Sequence, residues 1–557
     1  MSAILAIVLA ACGSSSGSKS GGGGTSSTTK AAATPTSGNG TLVIGAEQEM
    51  DCADWIASCA GSSWGVWEME EHTMPRVFEY EKDASGTWQN VPSILMAGEP
   101  VVSEVNGKQT VTYTINPNAV WSDKEPITSE DFKYTWEQIA KGNDIYDKSG
   151  YDKIESVDSS DPKTAVVTFS SPYGSWPGLF GGGLYGLLPS HLLEGKNRSK
   201  MMAGGYDFSG GPWIAKWHHG VDVTLTPNPN WYGNKPKLSK VIFRFVPDTA
   251  AEFQAFKSGE VLAIYPQPQL DAVDAIKKGL PNSQKQITTE TPNAEALWMN
   301  NDKFPFDSLA VRQAFAYSID RKAIVERLFG DLGVDTPQNS LNPPIQSEYQ
   351  DNAAFAVYEL NMDKVNSLMT GDGWKKNGSG IWAKNGKAAT ITINSTTENK
   401  RRELTEQVIQ QQARDAGFDV KIKNQTAADL FGKTLPQGTY QLGLYAQVAT
   451  SPEPGLCSIA CSTNIPSKAN DNSGQNWQRI NVPGLDEQLQ IVDTSSDKQA
   501  RITASKAGDK LMGDNMVSLP IDPLPNISLW SNRIQGVKGD NPIFAMFWNL
   551  DEWSLAS

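Results

Sequence analysis

Apolar and polar positions follow two different periods along this chain, and together they predict a mixed α/β fold. Two segments, Gln109–Asn116 and Ala389–Ser395, alternate residue by residue, which is typical of strands with one buried face. The segment Glu398–Ala416 instead repeats its apolar residues with the spacing of one helical face, and Gly417 after it is a residue that commonly ends a helix. We therefore expect an α/β protein.

The segment Thr291–Phe329 combines a strand-like apolar run, a polar turn and two helices. The run contains Trp298, the turn begins at Asn300, and a helix is expected to open at Asp307. The buried face of that helix follows the spacing i, i+3, i+4, i+7 and i+8 and consists of Val311, Ala314, Phe315, Ser318 and Ile319. Asp320 is placed to cap a further helical turn. None of these residues has the chemistry of a catalyst, so the segment predicts an aromatic-lined corner beside a rigid helix pair.

Length and charge narrow the class of protein. A chain of 557 residues exceeds the size that one hydrophobic core usually spans, so two or three lobes are expected. The formal net charge of -14 argues against nucleic acid as a partner, because binding to nucleic acid depends on clustered Lys and Arg that neutralise phosphates.

The N-terminus indicates export and a lipid anchor. Ser2–Ala11 is apolar but too short to span a bilayer, and Leu9–Cys12 resembles the bacterial lipobox, in which the cysteine is acylated. We expect a signal peptide over residues 1–12 with Cys12 as the lipidated residue, and a flexible tether over residues 13–40, which are rich in Gly, Ser and Thr. The expected location is the extracytoplasmic face of a bacterial cell membrane. An ordinary cleaved secretory signal is the alternative.

The other four cysteines form two local pairs. Cys52 with Cys59, and Cys457 with Cys461, are expected to form disulfides in an oxidising compartment. A zinc site is the alternative for four cysteines, but neither pair has C-x-x-C spacing and no histidine lies close in sequence. We expect neither a metal nor a cofactor.

One motif suggests an enzyme. Gly61–Gly65 fits the G-x-S-x-G pattern of serine hydrolases, with Ser63 as the nucleophile. That motif needs an apolar strand before the serine, and Asp51–Ala60 does not have that character. We expect no catalytic residue, and a secreted serine hydrolase remains the alternative from another class.

Four groups of motifs, in order along the chain, together resemble one protein family. They are Val120–Asp123 with Pro126–Trp136, Gly211–Trp213 with Leu225–Gly233, Ser258–Val261, and Pro305–Asp307 with Val311–Ala314 and Ser318–Arg321. This combination resembles the peptide/nickel class (family 5) of solute-binding proteins of ABC transporters. The resemblance implies a two-lobed periplasmic-binding-protein-like fold of class II that closes around its ligand, with an extra subdomain in lobe one.

The resemblance also implies a domain layout and partners. Lobe one is expected to comprise residues 41–288 and 524–557, with the subdomain at 88–205, and lobe two to comprise residues 289–523. The expected partners are a peptide or similar small solute and the membrane subunits of an ABC permease, and the protein is expected to be a monomer. An oligosaccharide or another non-peptide solute is the alternative ligand. A structural or chaperone-like surface lipoprotein with the same fold is a further reading.

The candidate ligand-binding residues are polar or aromatic side chains expected near the cleft. They are Glu47, Gln48, Trp64, Trp67, Tyr185, Asn293, Trp298, Asn300, Tyr445, Gln447, Thr450 and Glu453. In the oligopeptide-binding branch, an Asp in lobe two commonly pairs with the ligand's amino group, and Thr450 occupies that position here. Glu453 is the candidate substitute, since a buried ammonium needs a charged partner. Otherwise the ligand lacks a free N-terminus.

Overall fold

The computed structural model describes residues 40–57, 59, 63–84, 86, 88–145, 148–181, 186–397, 399–449, 451–468 and 474–556. Residues 1–39, which include Cys12 and most of the expected tether, lie outside the described residues, as do Tyr185 and Thr450. The described residues all belong to the compact unit Thr36–Ser557.

Strands occur along the whole of the described chain. They are β1 (Thr41–Ala46), β2 (Phe78–Lys82), β3 (Trp88–Pro92), β4 (Val101–Val105), β5 (Lys108–Thr114), β6 (Ile154–Asp161), β7 (Thr164–Phe169), β8 (Trp213–His218), β9 (Asp222–Pro227), β10 (Lys240–Phe245), β11 (Ala263–Ile264), β12 (Ser283–Thr288), β13 (Asn293–Met299), β14 (Lys375–Lys376), β15 (Trp382–Lys384), β16 (Lys387–Ala388), β17 (Thr390–Asn394), β18 (Asp419–Ile422), β19 (Leu442–Val448), β20 (Leu519–Pro523), β21 (Asn526–Ser531), β22 (Ile534–Gln535) and β23 (Ser554–Leu555).

Helices are interspersed among these strands. They are α1 (Ser63–Gly65), α2 (Glu71–Thr73), α3 (Ser129–Lys141), α4 (Ser190–Leu193), α5 (Arg198–Met202), α6 (Thr249–Ser258), α7 (Leu270–Lys277), α8 (Leu309–Tyr317), α9 (Arg321–Phe329), α10 (Ala353–Ala356), α11 (Met362–Gly371), α12 (Lys400–Ala416), α13 (Ala427–Asp429), α14 (Cys457–Ala460), α15 (Leu485–Thr494) and α16 (Lys498–Asp514).

Three sheets organise the fold. A seven-stranded sheet has the order β12-β21-β11-β1-β10-β9-β8, and a five-stranded sheet has the order β18-β17-β19-β13-β20. A separate four-stranded sheet, β4-β5-β7-β6, lies within the expected subdomain, and β2 pairs with β3 as a hairpin. The architecture is therefore mixed α/β, with parallel and antiparallel strand pairs in both large sheets.

Several predicted elements are confirmed, with small shifts at their ends. The expected strands appear as β5 and β17, and the expected helix appears as α12. The Asn399 side chain accepts a hydrogen bond from the Arg402 amide and so begins α12, while Gly417 ends it with φ at 99°. The buried face of α8 is also confirmed, since Val311, Ala314 and Phe315 are fully buried.

The expected start of α8 at Asp307 is wrong. The helix begins at Leu309, and Ser308 occupies the position before it. The Asp307 amide instead donates to the Lys303 carbonyl in the preceding turn, which is why the helix starts two residues later. Asp320 does cap α9, because its side chain accepts from the Ala323 amide.

Within the described residues, the chain passes between the two large sheets at residues 289–292 and again at 524–525. The two crossings are adjacent, because the Leu524 amide donates to the Asn293 carbonyl at 3.1 Å and Thr291 Oγ1 lies 2.8 Å from the Leu524 carbonyl oxygen. The expected lobe boundaries fall at these crossings, and the assignment of lobes stays a prediction.

Candidate ligand-binding site

Two neighbouring strands of the five-stranded sheet build the centre of the candidate site. β13 and β19 pair antiparallel, with Trp298 opposite Gly443, Ala296 opposite Tyr445, and Ala294 opposite Gln447. Opposite residues project from the same face of a sheet, so these side chains share one surface. A Cβ at Gly443 would lie 2.8 Å from the Tyr445 ring, so the glycine leaves room for that ring to lie flat along the sheet.

The opposite face of β13 carries a buried ion pair. Glu295 is paired with Arg401 and with Arg402 of α12, the latter at 2.8 Å. The attraction of both guanidinium groups, working against burial, holds the pKa of Glu295 below its ordinary value. This arrangement anchors β13 to α12 and leaves the other face of the strand for the site.

Aromatic rings form one side of a small cavity on that free face. The rings of Trp298 and Tyr445 are stacked, with centroids 5.2 Å apart and an interplanar angle of 14°. Trp298 Nε1 donates to the Tyr445 carbonyl at 2.9 Å, which fixes the indole. Trp477 meets Tyr445 edge-on with centroids 5.9 Å apart. The three rings pack against one another, and Trp298 and Tyr445 are only 3% and 5% exposed.

The cavity is small, with a volume of about 30 Å³, and its lining carries no formal charge. The described residues that line it are Trp298, Tyr445, Gln447, Ile459, Gln475, Trp477 and Gln478. Gln478 is fixed, since its Nε2 donates to the Ile459 carbonyl and its Oε1 accepts from Ser518. Gln447 and Gln475, by contrast, form no side-chain hydrogen bond within the described part of the chain, and Gln475 is exposed.

The loop that carries Trp477 and Gln478 is held next to Cys457 and Cys461, whose sulfur atoms lie within disulfide-bonding distance. The sulfur atoms of Cys457 and Cys461 lie 2.02 Å apart, and those of Cys52 and Cys59 lie 1.99 Å apart. Asn476 donates to the Cys461 and Ile480 carbonyls, which ties the loop to α14. Ile459 of α14 therefore has a fixed position in the cavity.

A second, larger cleft lies between the β2–β3 hairpin and the 3-10 turn Pro344–Tyr349. Its volume is about 240 Å³, and Glu290, Glu348 and Glu453 contribute carboxylates to it. Each carboxylate has a partner: Glu290 accepts from Trp88 and from Lys82, and Glu348 pairs with Lys498 at 2.8 Å. This cleft is therefore wider than the cavity, and its charges are balanced by the protein itself.

Glu453, the expected substitute for the missing aspartate, is already engaged. Its Oε2 accepts from Arg501 at 2.7 Å and from the Tyr349 hydroxyl at 2.6 Å. Both members of the ion pair are largely buried. A ligand ammonium at Glu453 would have to compete with Arg501 in this conformation.

The two tryptophans expected in the first lobe lie in an aromatic cluster. Trp64 and Trp67 meet edge-on with centroids 5.4 Å apart, and Trp67 Nε1 donates to the Ile543 carbonyl at 3.1 Å. Trp67 also packs against a small apolar cluster that includes Ile345 and Ala449. It therefore lies where segments from before and after residue 289 meet.

The remaining predicted residues have contacts that favour structural roles. Glu47 accepts from Thr249 at 2.6 Å and from the Gln267 amide at 2.7 Å, and burial raises its pKa although these bonds oppose the rise. Asn300 is fully buried and donates to the Tyr440 carbonyl, and Asn293 marks the first crossing between the sheets. Gln48 is partly exposed beside Glu47.

The structure thus brings together Trp298, Tyr445 and Gln447 of the predicted residues. Sequence reasoning missed Ile459, Gln475, Trp477 and Gln478, which also line the cavity. They lie in a segment without helical or strand periodicity, and the one available signal was a tryptophan between two glutamines.

The hydrolase motif lacks its required context. Among the described residues just before it, 51–57, there is no strand that could lead into a nucleophile turn. Across the described residues, no three His, Cys, Asp or Glu side chains are grouped so as to hold a metal ion. The described helices are also all too short or too polar to span a bilayer.

Two large sheets joined by adjacent crossings are the architecture of a two-lobed periplasmic binding protein. Comparison with known structures agrees on the fold. The periplasmic EDTA-binding protein EppA superposes with a TM-score of 0.78 at 22% identity, covering 94% of this chain and 98% of that one. The oligopeptide-binding protein AppA of Bacillus subtilis, solved with a nonapeptide, gives 0.72 at 19% identity, covering 93% and 99%.

Sequence comparison identifies the family. The model for bacterial extracellular solute-binding proteins, family 5 (middle region), matches residues 95–464. The oligopeptide-binding protein OppA of Mycobacterium bovis is 26% identical over 485 residues, which cover 84% of this chain and 77% of that protein. The chain belongs to the family 5 extracellular solute-binding proteins.

Proposed function

We propose that this protein is the receptor of an ABC importer, which captures a peptide or a similar small solute between two lobes and delivers it to the permease. The observation that carries the proposal is the pair of large sheets joined by two adjacent crossings, in a chain whose residues 95–464 match the family 5 solute-binding model. Two rigid sheets joined by short crossings are suited to enclosing a solute between them.

The relatives' names support a solute-binding role without agreeing on one ligand. One is an oligopeptide-binding protein and another an EDTA-binding protein, so the family's fold serves solutes of different chemistry. The ligand of this protein therefore depends on the side chains of its own cleft.

The proposal includes a layout in which residues 41–288 and 524–557 form one lobe and residues 289–523 the other. The adjacent crossings at 289–292 and 524–525 would act as the hinge, because a few residues between rigid sheets can absorb the change in backbone angles. Closure would then pack Trp67 and Ala449 against the cluster that contains Ile345, as both do in the present conformation.

Native mass spectrometry of the purified protein tests the proposal. Closed binding proteins can retain their solute, so we expect an adduct of one small molecule that disappears after denaturation and refolding. The stripped protein should regain a higher unfolding midpoint when that solute is added back. Absence of any adduct, together with no shift of the midpoint across peptide and saccharide libraries, would contradict the proposal.

We also propose that Cys12 is acylated and that residues 13–40 tether the binding domain to the membrane. The Cys12→Ser variant should lose membrane association and keep its solute affinity, since the change lies far along the chain from the cavity residues. Fractionation of the variant and of the unchanged protein in a bacterial host checks this, and a variant that still sediments with membranes would refute the anchor.

A further inference from the structure

One face of the β2–β3 hairpin forms a wall of the larger cleft. Tyr80 pairs with Asn90 and Lys82 pairs with Trp88 across the hairpin, and residues paired in this way project from the same face. The 3-10 turn Pro344–Tyr349 lies across the cleft, which has a volume of about 240 Å³. The cleft is therefore below the usual size of a ligand pocket and suits one group of a solute, the size of a side chain.

The three carboxylates of the cleft each keep one oxygen atom without a hydrogen bond. The protein's own donors reach the Oε2 atoms of Glu290, Glu348 and Glu453. Within the described part of the chain, no donor reaches the Oε1 atom of any of the three. The side chains of Glu290 and Glu348 are 48% and 46% exposed, so their second oxygen atoms are open to a ligand.

Two neutral groups on the hairpin also lack a partner among the described residues. Tyr80 lines the cleft and is only 3% exposed, yet its hydroxyl bonds to no described residue. Asn90, directly opposite Tyr80 in the hairpin, has a buried amide oxygen without a hydrogen bond. Buried polar groups in folded proteins are normally paired, so these two groups indicate a partner from outside the chain.

Negative charge dominates at the Tyr80 hydroxyl. Burial raises the pKa of this phenol, and the nearby carboxylates Glu453, Glu290 and Glu348 raise it further. The field that disfavours a phenolate here would stabilise a positive charge at the same place and would repel an anionic group. The ligand group that fits this cleft is therefore cationic.

The unpaired groups also restrict the shape of that cation. They are three carboxylate oxygens, one amide oxygen and one hydroxyl that can accept, and they come from the hairpin, a crossing and the segments around residues 348 and 453. A guanidinium carries five N–H donors in a planar fork, whereas an ammonium carries three donors on a single atom. Acceptors spread over several segments match the wider group.

We propose, on the basis of the proposed function, that this cleft is a subsite for a guanidinium group of the captured solute. Glu290 and Glu348 would neutralise its charge, and Tyr80 and Asn90 would accept hydrogen bonds from its N–H groups. The side chain of an arginine in a peptide and a free guanidino amine share this chemistry.

Native mass spectrometry of the ligand-stripped protein with matched probes tests the subsite. One pair of probes is a tetrapeptide library with one arginine per peptide and the same library with citrulline, the uncharged urea isostere, in its place. The other pair is agmatine and N-carbamoylputrescine. We expect at least one guanidinium probe to bind about fivefold or more tightly than its urea partner, because charge-assisted hydrogen bonds are stronger than neutral ones. The pair that shows the preference identifies the source of the group, and equal binding within both pairs would overturn the subsite.

A double variant tests the two exposed carboxylates. Glu290→Gln with Glu348→Gln keeps the shape of both side chains, and it should reduce the preference for guanidinium over urea to about twofold or less. Glu99→Gln with Glu104→Gln changes the net charge equally at two exposed positions and should keep the full preference. The ratio within a probe pair cancels any effect of the variants on closure, since both probes of a pair close the protein alike. A full preference in the Glu290 and Glu348 double variant would overturn the subsite.

The outcomes for the subsite and for the proposed function can be told apart. If both peptide libraries bind one-to-one with equal affinity and agmatine shows no preference, the subsite is overturned and the proposed function stands. If no probe binds, the subsite is again overturned, and the search for a retained solute alone decides the proposed function.

Discussion

Trp298 contributes to the packing of the core as well as to the candidate site. It lines the small cavity, but it is only 3% exposed and is fixed by stacking and by a hydrogen bond to the Tyr445 carbonyl, and its role in binding stays a prediction. Its removal would therefore affect folding as well as binding.

Trp298→Ala should lower the free energy of unfolding by about 3 kcal/mol or more, because truncating a buried tryptophan leaves a cavity. The same variant should also lose affinity for the solute. Trp298→Phe keeps a stacked ring and should recover most of the stability. Urea titration of the three proteins checks this, and a loss below about 1 kcal/mol in Trp298→Ala would show that the packing described here does not stabilise the fold.

Asp509 of α16 gives a prediction for pH. Burial raises the pKa of its carboxyl to about 7, despite hydrogen bonds from Ser340 and the Asp351 amide. The folded chain holds this proton more tightly than the unfolded chain, whose pKa is about 4. The stability from this group is therefore complete below about pH 4 and is lost as the pH rises towards 7 and above.

Asp509→Asn keeps two acceptor positions on its amide oxygen but removes the titration. The fall in unfolding free energy between pH 5 and pH 8 should be smaller in this variant, by on the order of 2 kcal/mol. Chemical denaturation at both pH values measures the difference. Identical pH profiles for the variant and the unchanged protein would exclude Asp509 as a source of the slope.

At the scale of elements, local patterns determined what the sequence could predict. The helix α12 lies where it was expected because Asn399 and Gly417 mark its ends by local interactions alone. β5 and β17 were equally predictable, because the alternation of apolar and polar residues is a local property of the sequence. The start of α8 was misplaced because a turn ending at Asp307 competes with the helix.

The candidate site was only partly predictable, for a physical reason. Trp298 lies in β13 and Gln447 in β19, and both belong to recognisable strand patterns near the family's motifs. Trp477 and Gln478 reach the cavity only through long-range contacts, such as that of Gln478 with Ser518. No periodicity in the sequence encodes such a contact. Thr450 and Tyr185 remain predictions, since they lie outside the described residues.

A close contact between the segment after β7 and the α15–α16 region yields a prediction at this scale. The Gly174 amide donates to the Asp493 carbonyl at 3.0 Å, and Arg501 Nη1 donates to the Gly174 carbonyl at 2.8 Å. A Cβ at Gly174 would overlap the Ser495 carbonyl oxygen. Because these segments belong to different expected lobes, we infer that the contact favours the closed conformation.

Gly174→Ala should weaken solute affinity at least fivefold, mainly through faster dissociation, because it separates the two segments. Gly98→Ala is the matched control, since a Cβ there meets no atom within 4 Å. Stopped-flow fluorescence gives the dissociation rates. If Gly174→Ala and Gly98→Ala release solute at the same rate, the contact does not support closure.

At the scale of the molecule, the fold joins two rigid sheets through two short crossings that lie side by side. Thr291 and Leu524 connect the crossings, and the cluster around Val66, Tyr80, Ile345 and Phe544 fills the space between the segments on either side. Within the described chain, the two large sheets are linked covalently only by these short crossings. A small change in the backbone angles of the crossings would therefore move one sheet as a body relative to the other.

Small-angle X-ray scattering tests the central claim, capture of a solute by closure of two lobes, most directly. It compares the ligand-stripped protein with the same protein saturated with the solute found by native mass spectrometry. The account predicts a smaller radius of gyration on saturation, with one solute bound per chain. A radius of gyration that stays the same at saturation would contradict it.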